Sequence, residues 1–238
     1  MRCRFPPAGR ATAVGVLLVP LTLAAGACGG GDRPRPSPGL ANAPVGSGYT
    51  SDQLQQALLT EIPGYRRAGE PDSGEYGSLD AIQSVNQLQS QVKLDKPRCA
   101  STGNGFNTAQ VSAPAAIMTF AKSGGQKVTE TLVRVTAATA DREIGVRVPA
   151  DCRRFRARLG DQWSDHYVVE ATQGRLGDGS RTVGVATTSG TTHVKTWYVV
   201  LKARGYLATI TLYGPNVTRA EAEQIARQAY DQAERILP

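Results

Sequence analysis

Thr196–Gly214, TWYVVLKARGYLATITLYG, reads as two β-strands around a turn, and this hairpin decides the fold. Val194–Lys202 and Tyr206–Tyr213 are β-branched and aromatic runs, and Ala203-Arg204-Gly205 between them supplies the turn. In the second strand Leu207, Thr209, Thr211 and Tyr213 oppose Ala208, Ile210 and Leu212, because side chains alternate across a strand. One face is therefore moderately apolar and needs a cover. Gly214-Pro215-Asn216 breaks the strand, and Thr218 with Glu221 three residues on forms a capping box for a last helix. That helix carries Ala222, Ile225, Ala226, Ala229, Ala233 and Ile236 on one stripe. Helix on sheet is the core these patterns specify. The fold class is α+β: an antiparallel β-sheet packed by helices, the C-terminal one included.

Upstream, His166–Thr172 and Arg181–Thr187 are further β-rich runs, separated by Gly-rich turns at Gly174–Ser180 and Ser189-Gly190, so an antiparallel meander is expected. Ala115–Ala121 and Lys127–Thr136 flank Ser123-Gly124-Gly125-Gln126, a hairpin signal. In the second of these strands neither face is purely apolar, which leaves its register open. Ala138–Val146 reads as a short helix with Thr139 as its cap. Cys152–Leu159, CRRFRARL, puts Phe155, Ala157 and Leu159 inward if it is a strand, and lines up Arg154, Arg156 and Arg158 on the other side. That basic stripe suits an anionic partner or envelope surface, and a solvated outer face is the plainer alternative. Earlier in the chain, Thr50 or Ser51 caps a helix with Leu54, Ala57, Leu58 and Ile62 on its stripe, and Pro63-Gly64 stops it. Tyr65–Gly77 reads as loop. Ser78–Val92 reads as a polar helix whose Leu79, Ile82, Val85, Leu88 and Val92 recur at helical spacing.

Compartment is written at the N-terminus. Arg2, Arg4 and Arg10 precede the mostly apolar Ala11–Ala25, a run too short to span a bilayer and interrupted by Pro20. This is an export signal, over residues 1–27. Ala25-Gly26-Ala27 followed by Cys28 resembles the bacterial lipobox, with Ala25 where leucine is usual. The resemblance implies a diacylglycerol thioether on Cys28, hence a lipid-anchored protein on the extracytoplasmic side of the cell membrane. Plain secretion after cleavage at Ala27 is the alternative. Gly29–Gly48 is rich in Gly, Pro and Ser and reads as a tether. A coil of this length reaches on the order of 25 Å. The folded domain is then 49–238, about 190 residues and enough for one core. Without the signal the net charge falls from +7 to about +4, which argues against a nucleic-acid partner. Cys99 and Cys152 are the cysteines left for that domain, and in an oxidising exterior they are expected to pair.

The order of anchor, tether, short helix, Cys99, hairpin, helix, Cys152 with basic and aromatic residues, meander and Ala-rich terminal helix carries a family likeness. So does the Thr196–Gly214 hairpin with its helix. The chain resembles the extracellular sensor domain of mycobacterial receptor-type serine/threonine kinases and the actinobacterial cell-surface lipoproteins that share it. The resemblance covers about residues 50–237 and implies a disulfide-stapled α+β domain with a ligand cleft. The chain departs from it in having one internal cysteine pair where two bridges are common, and no kinase.

No catalytic motif stands out. There is no G-x-S-x-G, no H-E-x-x-H and no phosphate loop, no ligand set at metal spacing, and no cofactor signature. Asp165 and His166 are adjacent, so in a strand they point to opposite faces. Two non-catalytic readings follow. In one, a sensor-like module takes a small molecule, lipid or glycan in a groove between sheet and terminal helix, walled by Trp163, Trp197, Tyr198 and Tyr206. In the other, Arg154, Arg156 and Arg158 dock an acidic envelope protein or surface.

Overall fold

The computed structural model describes residues 48–100, 111–171 and 176–237. The expectations for the signal, Cys28 and most of the tether lie outside the described residues, as does the whole of the unit Met1–Ala43. The second unit, Pro44–Pro238, has its own hydrophobic cores and its own bridge, the properties of a domain that folds independently.

The domain starts with helix α1 (Ser51–Ala57), whose cap Thr50 accepts from the Gln53 N–H while the Gln53 side chain accepts from the Thr50 N–H. The expected continuation to Ile62 does not occur. Leu58 turns extended, and the Leu59 N–H donates at 2.8 Å to the Glu130 carboxylate instead of to a helical carbonyl. Within the stretch read as loop lie two short strands, β1 (Arg66–Arg67) and β2 (Asp72–Glu75). Both pair along the edge of β4 (Pro114–Lys122), a tertiary choice that their composition does not announce. Helix α2 (Asp80–Gln91) forms where expected, but Val92 leaves it to begin β3 (Val92–Leu94).

β4 and β5 (Gln126–Arg134) form the expected hairpin, with Gly124 and Gly125 at φ of 81° and 76° in its turn. Helix α3 (Ala137–Gly145) is capped by Thr136, not Thr139, since the Thr136 hydroxyl accepts from the Thr139 N–H. Then β6 (Arg154–Leu159), β7 (Gln162–Glu170), β8 (Gly179–Ser189), β9 (Thr192–Ala203) and β10 (Tyr206–Gly214) make an antiparallel meander. β7 begins four residues before the expected His166, because Leu159 and Gln162 pair across a tight turn at Gly160-Asp161. Helix α4 (Arg219–Ile236) closes the chain. Thr218 accepts from the Glu221 N–H, but the Glu221 carboxylate accepts from the Tyr65 hydroxyl at 2.9 Å, tying α4 to the segment after α1.

The sheet order is β1-β4-β5-β10-β9-β8-β7-β6-β3, with β2 also on β4. Cross-strand partners share a face, so the registers sort the side chains. Val128, Leu132, Ala208, Ile210, Leu212, Val199 and Leu201 fall on one face with Phe120 and Met118. α1 and α4 cover it, and Leu54, Ala57, Ala222, Ala226 and Ala229 are fully buried there. Each large side chain so buried contributes about 1.5–3 kcal/mol. Farther along the same face, over β6 and β7, nothing in the described chain covers the sheet in this way, and exposure alternates residue by residue. At the border between the two halves the Trp197 indole lies across β8: a Cβ on Gly184 would come within 2.6 Å of its ring.

The opposite face holds Leu207, Val133, Ala115 and Ile117 beneath α3 and Leu79, and Val168, Val183 and Val185 beside the bridge. Cys99 and Cys152 pair as expected, with Cα atoms 5.4 Å apart and both residues buried. The bridge joins two short turns, Pro97–Cys99 and Ala150–Cys152, and closes a loop of the size that stabilises by about 4 kcal/mol. Among the described residues no helix is long and apolar enough to cross a membrane.

Candidate functional site

Between the two packed zones of that second face the cover is incomplete. Thr129 and Thr131 of β5, Thr209 and Thr211 of β10 and Thr119 of β4 stand there in adjacent register, since threonine recurs at every second position in β5 and β10. They floor a groove of about 340 Å³. Its other wall is α2, which brings Ala81, Ile82 and Val85 over the floor, with Tyr76 and Val111 at one end. The helix has no buried residue of its own. Val85 is 48% exposed and Leu88 52%, so the middle of the stripe foreseen for this helix is left open, while Leu79 is buried and Ile82 and Val92 are half-buried.

The threonine floor is polar and partly buried. Thr131 and Thr209 are buried, Thr119 and Thr129 share a hydrogen bond at 3.2 Å, and the Thr209 hydroxyl is buried with no partner. An unpaired buried hydroxyl costs about 1–3 kcal/mol. A second depression of about 270 Å³ adjoins the first, bordered by the same Gln89 and Tyr198 and continued by Phe155, His166, Thr187 and Thr196. The bridge cysteine Cys99 lines it, so the disulfide holds one of its walls. Burial raises the Tyr198 phenol above its ordinary pKa, with a hydrogen bond to Thr196 opposing.

His166 stacks on Phe155 with ring centroids 4.8 Å apart, and both its nitrogens are engaged, by Ser164 at 2.8 Å and Thr187 at 3.1 Å. Burial lowers its pKa. Ser164 meets Nε2, and at Nδ1 stands the Thr187 hydroxyl, not the carboxylate that would stabilise an imidazolium. Asp165 lies on the other face of β7, paired with Arg156. Among the described residues no group of three or more His, Cys, Asp or Glu side chains could hold a metal ion.

The structure separates the four aromatic residues singled out from the sequence. Tyr198 alone borders the groove. Tyr206 is fully buried under α4, edge-on to Tyr49 at 6.0 Å and donating to Glu234 at 3.2 Å. Trp197 packs against the α1–α4 core, and Trp163 stands 39% exposed on the open part of that face. The terminal helix lies flush on its strands through alanines, so the groove sits across the sheet from where sequence reasoning put it. Arg154, Arg156 and Arg158 do line up, beside Trp163 and Tyr167. The threonine floor was missed. Its signal was present in the period-two recurrence of threonine at 129 and 131 and again at 209 and 211.

No protein-family model and no curated protein matches the chain. Solved structures do. The extracellular domain of PknH from Mycobacterium tuberculosis superposes with a TM-score of 0.57 at 13% identity, over 79% of this chain and 98% of that one. An Rv0999 ortholog from Mycobacterium smegmatis gives a TM-score of 0.47 at 17% identity, over 77% of this chain and 97% of that one. The expected likeness is thus present at the level of fold: this chain is similar in fold to the extracellular domain of PknH.

Proposed function

We propose that this chain is a lipid-anchored extracytoplasmic module, non-catalytic, that holds a small molecule, lipid or glycan in the groove beneath α2. One observation carries the ligand reading: an apolar helix stripe left half open above a threonine floor that keeps a buried hydroxyl unpaired. Such a site offers hydroxyls to a polar group and apolar side chains to a hydrocarbon one, the usual make-up of a small-molecule pocket. The compartment rests on separate support. A buried disulfide persists in oxidising spaces, the lipobox-like Ala25–Cys28 follows an export signal, and the structural neighbour is itself an extracellular domain. The membrane is reached through the acyl chains on Cys28, with no nucleic-acid partner.

Native mass spectrometry of the domain purified from its own host tests the groove. A retained mass is expected, and Thr211→Trp, which fills the floor, should reduce its occupancy at least tenfold while the melting transition stays cooperative. A bare domain, or a ligand indifferent to Thr211→Trp, would remove the groove from the reading. Metabolic palmitate should label the wild type and not Cys28→Ser, and absence of label on the wild type would remove the anchor alone.

A further inference from the structure

The open half of the helix-bearing face is built as a cationic surface. Arg154, Arg156 and Arg158 project from alternate positions of β6, each opposite a residue of β7: Tyr167, Asp165 and Trp163. Their guanidinium carbons lie over aromatic rings, Arg154 at 5.3 Å from the Tyr167 centroid, Arg156 at 4.6 Å and Arg158 at 5.6 Å from that of Trp163. Stacking of this kind fixes the planar fork and leaves its edge N–H groups free to donate. Among the described residues only Asp165 is ion-paired with any of the three, at 3.4 Å from Arg156. Lys195 adds an exposed cation on the same face, and Asp95 at the rim accepts the Arg156 backbone N–H at 2.8 Å. The surroundings are amphipathic. Tyr167 is 47% exposed, Val169 43% and Trp163 39%, all on this side of β7.

We propose that this face docks the domain on an anionic lipid surface, Arg154, Arg156 and Arg158 meeting lipid phosphates while Trp163, Tyr167 and Val169 enter the headgroup layer. Three features favour a membrane over a soluble polyanion. The cations stand beside exposed apolar and aromatic side chains of the same sheet face, where a linear polyanion would use a charged track alone. Tryptophan and tyrosine prefer the headgroup level, with one end apolar and the other wet. The segment that precedes Gly48 is read as a tether of about 25 Å to a lipidated cysteine, which keeps a membrane within reach. This last point rests on the anchored reading proposed above. A tethered domain needs little intrinsic affinity, because its encounter with the surface is intramolecular. Docked this way, the part of that face over β6 and β7, beyond α1 and α4, meets the membrane, while the groove stands on the opposite face of the sheet.

The test uses unlipidated Pro44–Pro238 and co-sedimentation with vesicles of phosphatidylcholine containing 30% phosphatidylglycerol. Each basic residue near such a surface contributes roughly fivefold, so Arg154→Gln, Arg156→Gln and Arg158→Gln together should weaken binding on the order of 100-fold. Binding should also fade as salt rises from low to physiological strength. Asp165→Asn is the decisive companion, since it removes the carboxylate from the face and should tighten binding about fivefold, a gain no misfolded variant would give. No binding, a triple variant that binds as the wild type does, or retention on immobilised polyphosphate without vesicle binding would each overturn the proposal. Because no acyl chain is present, these results stand apart from the palmitate test.

Discussion

The two faces of β5 and β10 are made by the same strands, yet one is sealed and the other is not. Val128, Leu132, Ala208, Ile210 and Leu212 meet α1 and α4, whose alanines let the helices settle close to the sheet. One residue away in each strand, Thr129, Thr131, Thr209 and Thr211 meet α2 across a groove. Helix presence alone does not make a core: α2 is longer than α1 and carries a regular apolar stripe, but none of its residues is fully buried and only Ile82 packs on the core beneath. Packing follows from complementary surfaces, and a threonine floor gives an isoleucine and valine stripe little to interdigitate with. The sealed face has one anomaly, Glu130, fully buried with one oxygen accepting from the Leu59 N–H and the other unpaired.

That carboxyl is where the contrast breaks most visibly. Burial pushes its pKa up to about 8, against an ordinary 4.5, with the Leu59 N–H opposing. The folded state therefore holds a proton that the unfolded state releases, and the stability present below about pH 4.5 is lost as pH rises toward 8. The slope approaches about 1.4 kcal/mol per pH unit. Denaturant titrations from pH 4 to 9 should show this loss in the wild type and not in Glu130→Gln. An equal slope in both would place the titration elsewhere.

Ile210→Ala probes the sealed face itself. With a side chain buried to 0% exposure between sheet and helices, it should cost about 3 kcal/mol in urea unfolding. Thr209→Val, its neighbour on the groove side, should go the other way. Replacing a buried unpaired hydroxyl by a methyl group of the same shape is expected to stabilise the domain by about 1 kcal/mol, read as a shift in the urea midpoint at constant slope. If Thr209→Val destabilises by as much as Ile210→Ala, the two faces are packed alike and the groove is closed in solution.

Much of this architecture was legible in the chain. Gly124-Gly125 and the Thr196–Gly214 hairpin specify their turns and strands locally, and Thr218 starts α4 where the structure starts it. Alternation in CRRFRARL placed three arginines on one side of a strand, and the register of β6 with β7 bears that out. Other features depended on partners far along the chain. Arg66–Arg67 and Asp72–Glu75 are strands because the edge of β4 accepts them, and α1 stops short because Glu130, 71 residues on from Leu59, takes an N–H. Neither signal exists within a local window.

The sequence by itself determined the long strands of the meander, the hairpin at Gly124-Gly125 and the start of the last helix, because periodicity and turn chemistry act over a few residues. It also supplied both halves of the bridge. Only the tertiary structure decided which faces are covered. That depends on how closely a helix of given side chains can approach a strand of given side chains, and alanine over leucine closes where valine over threonine leaves a gap.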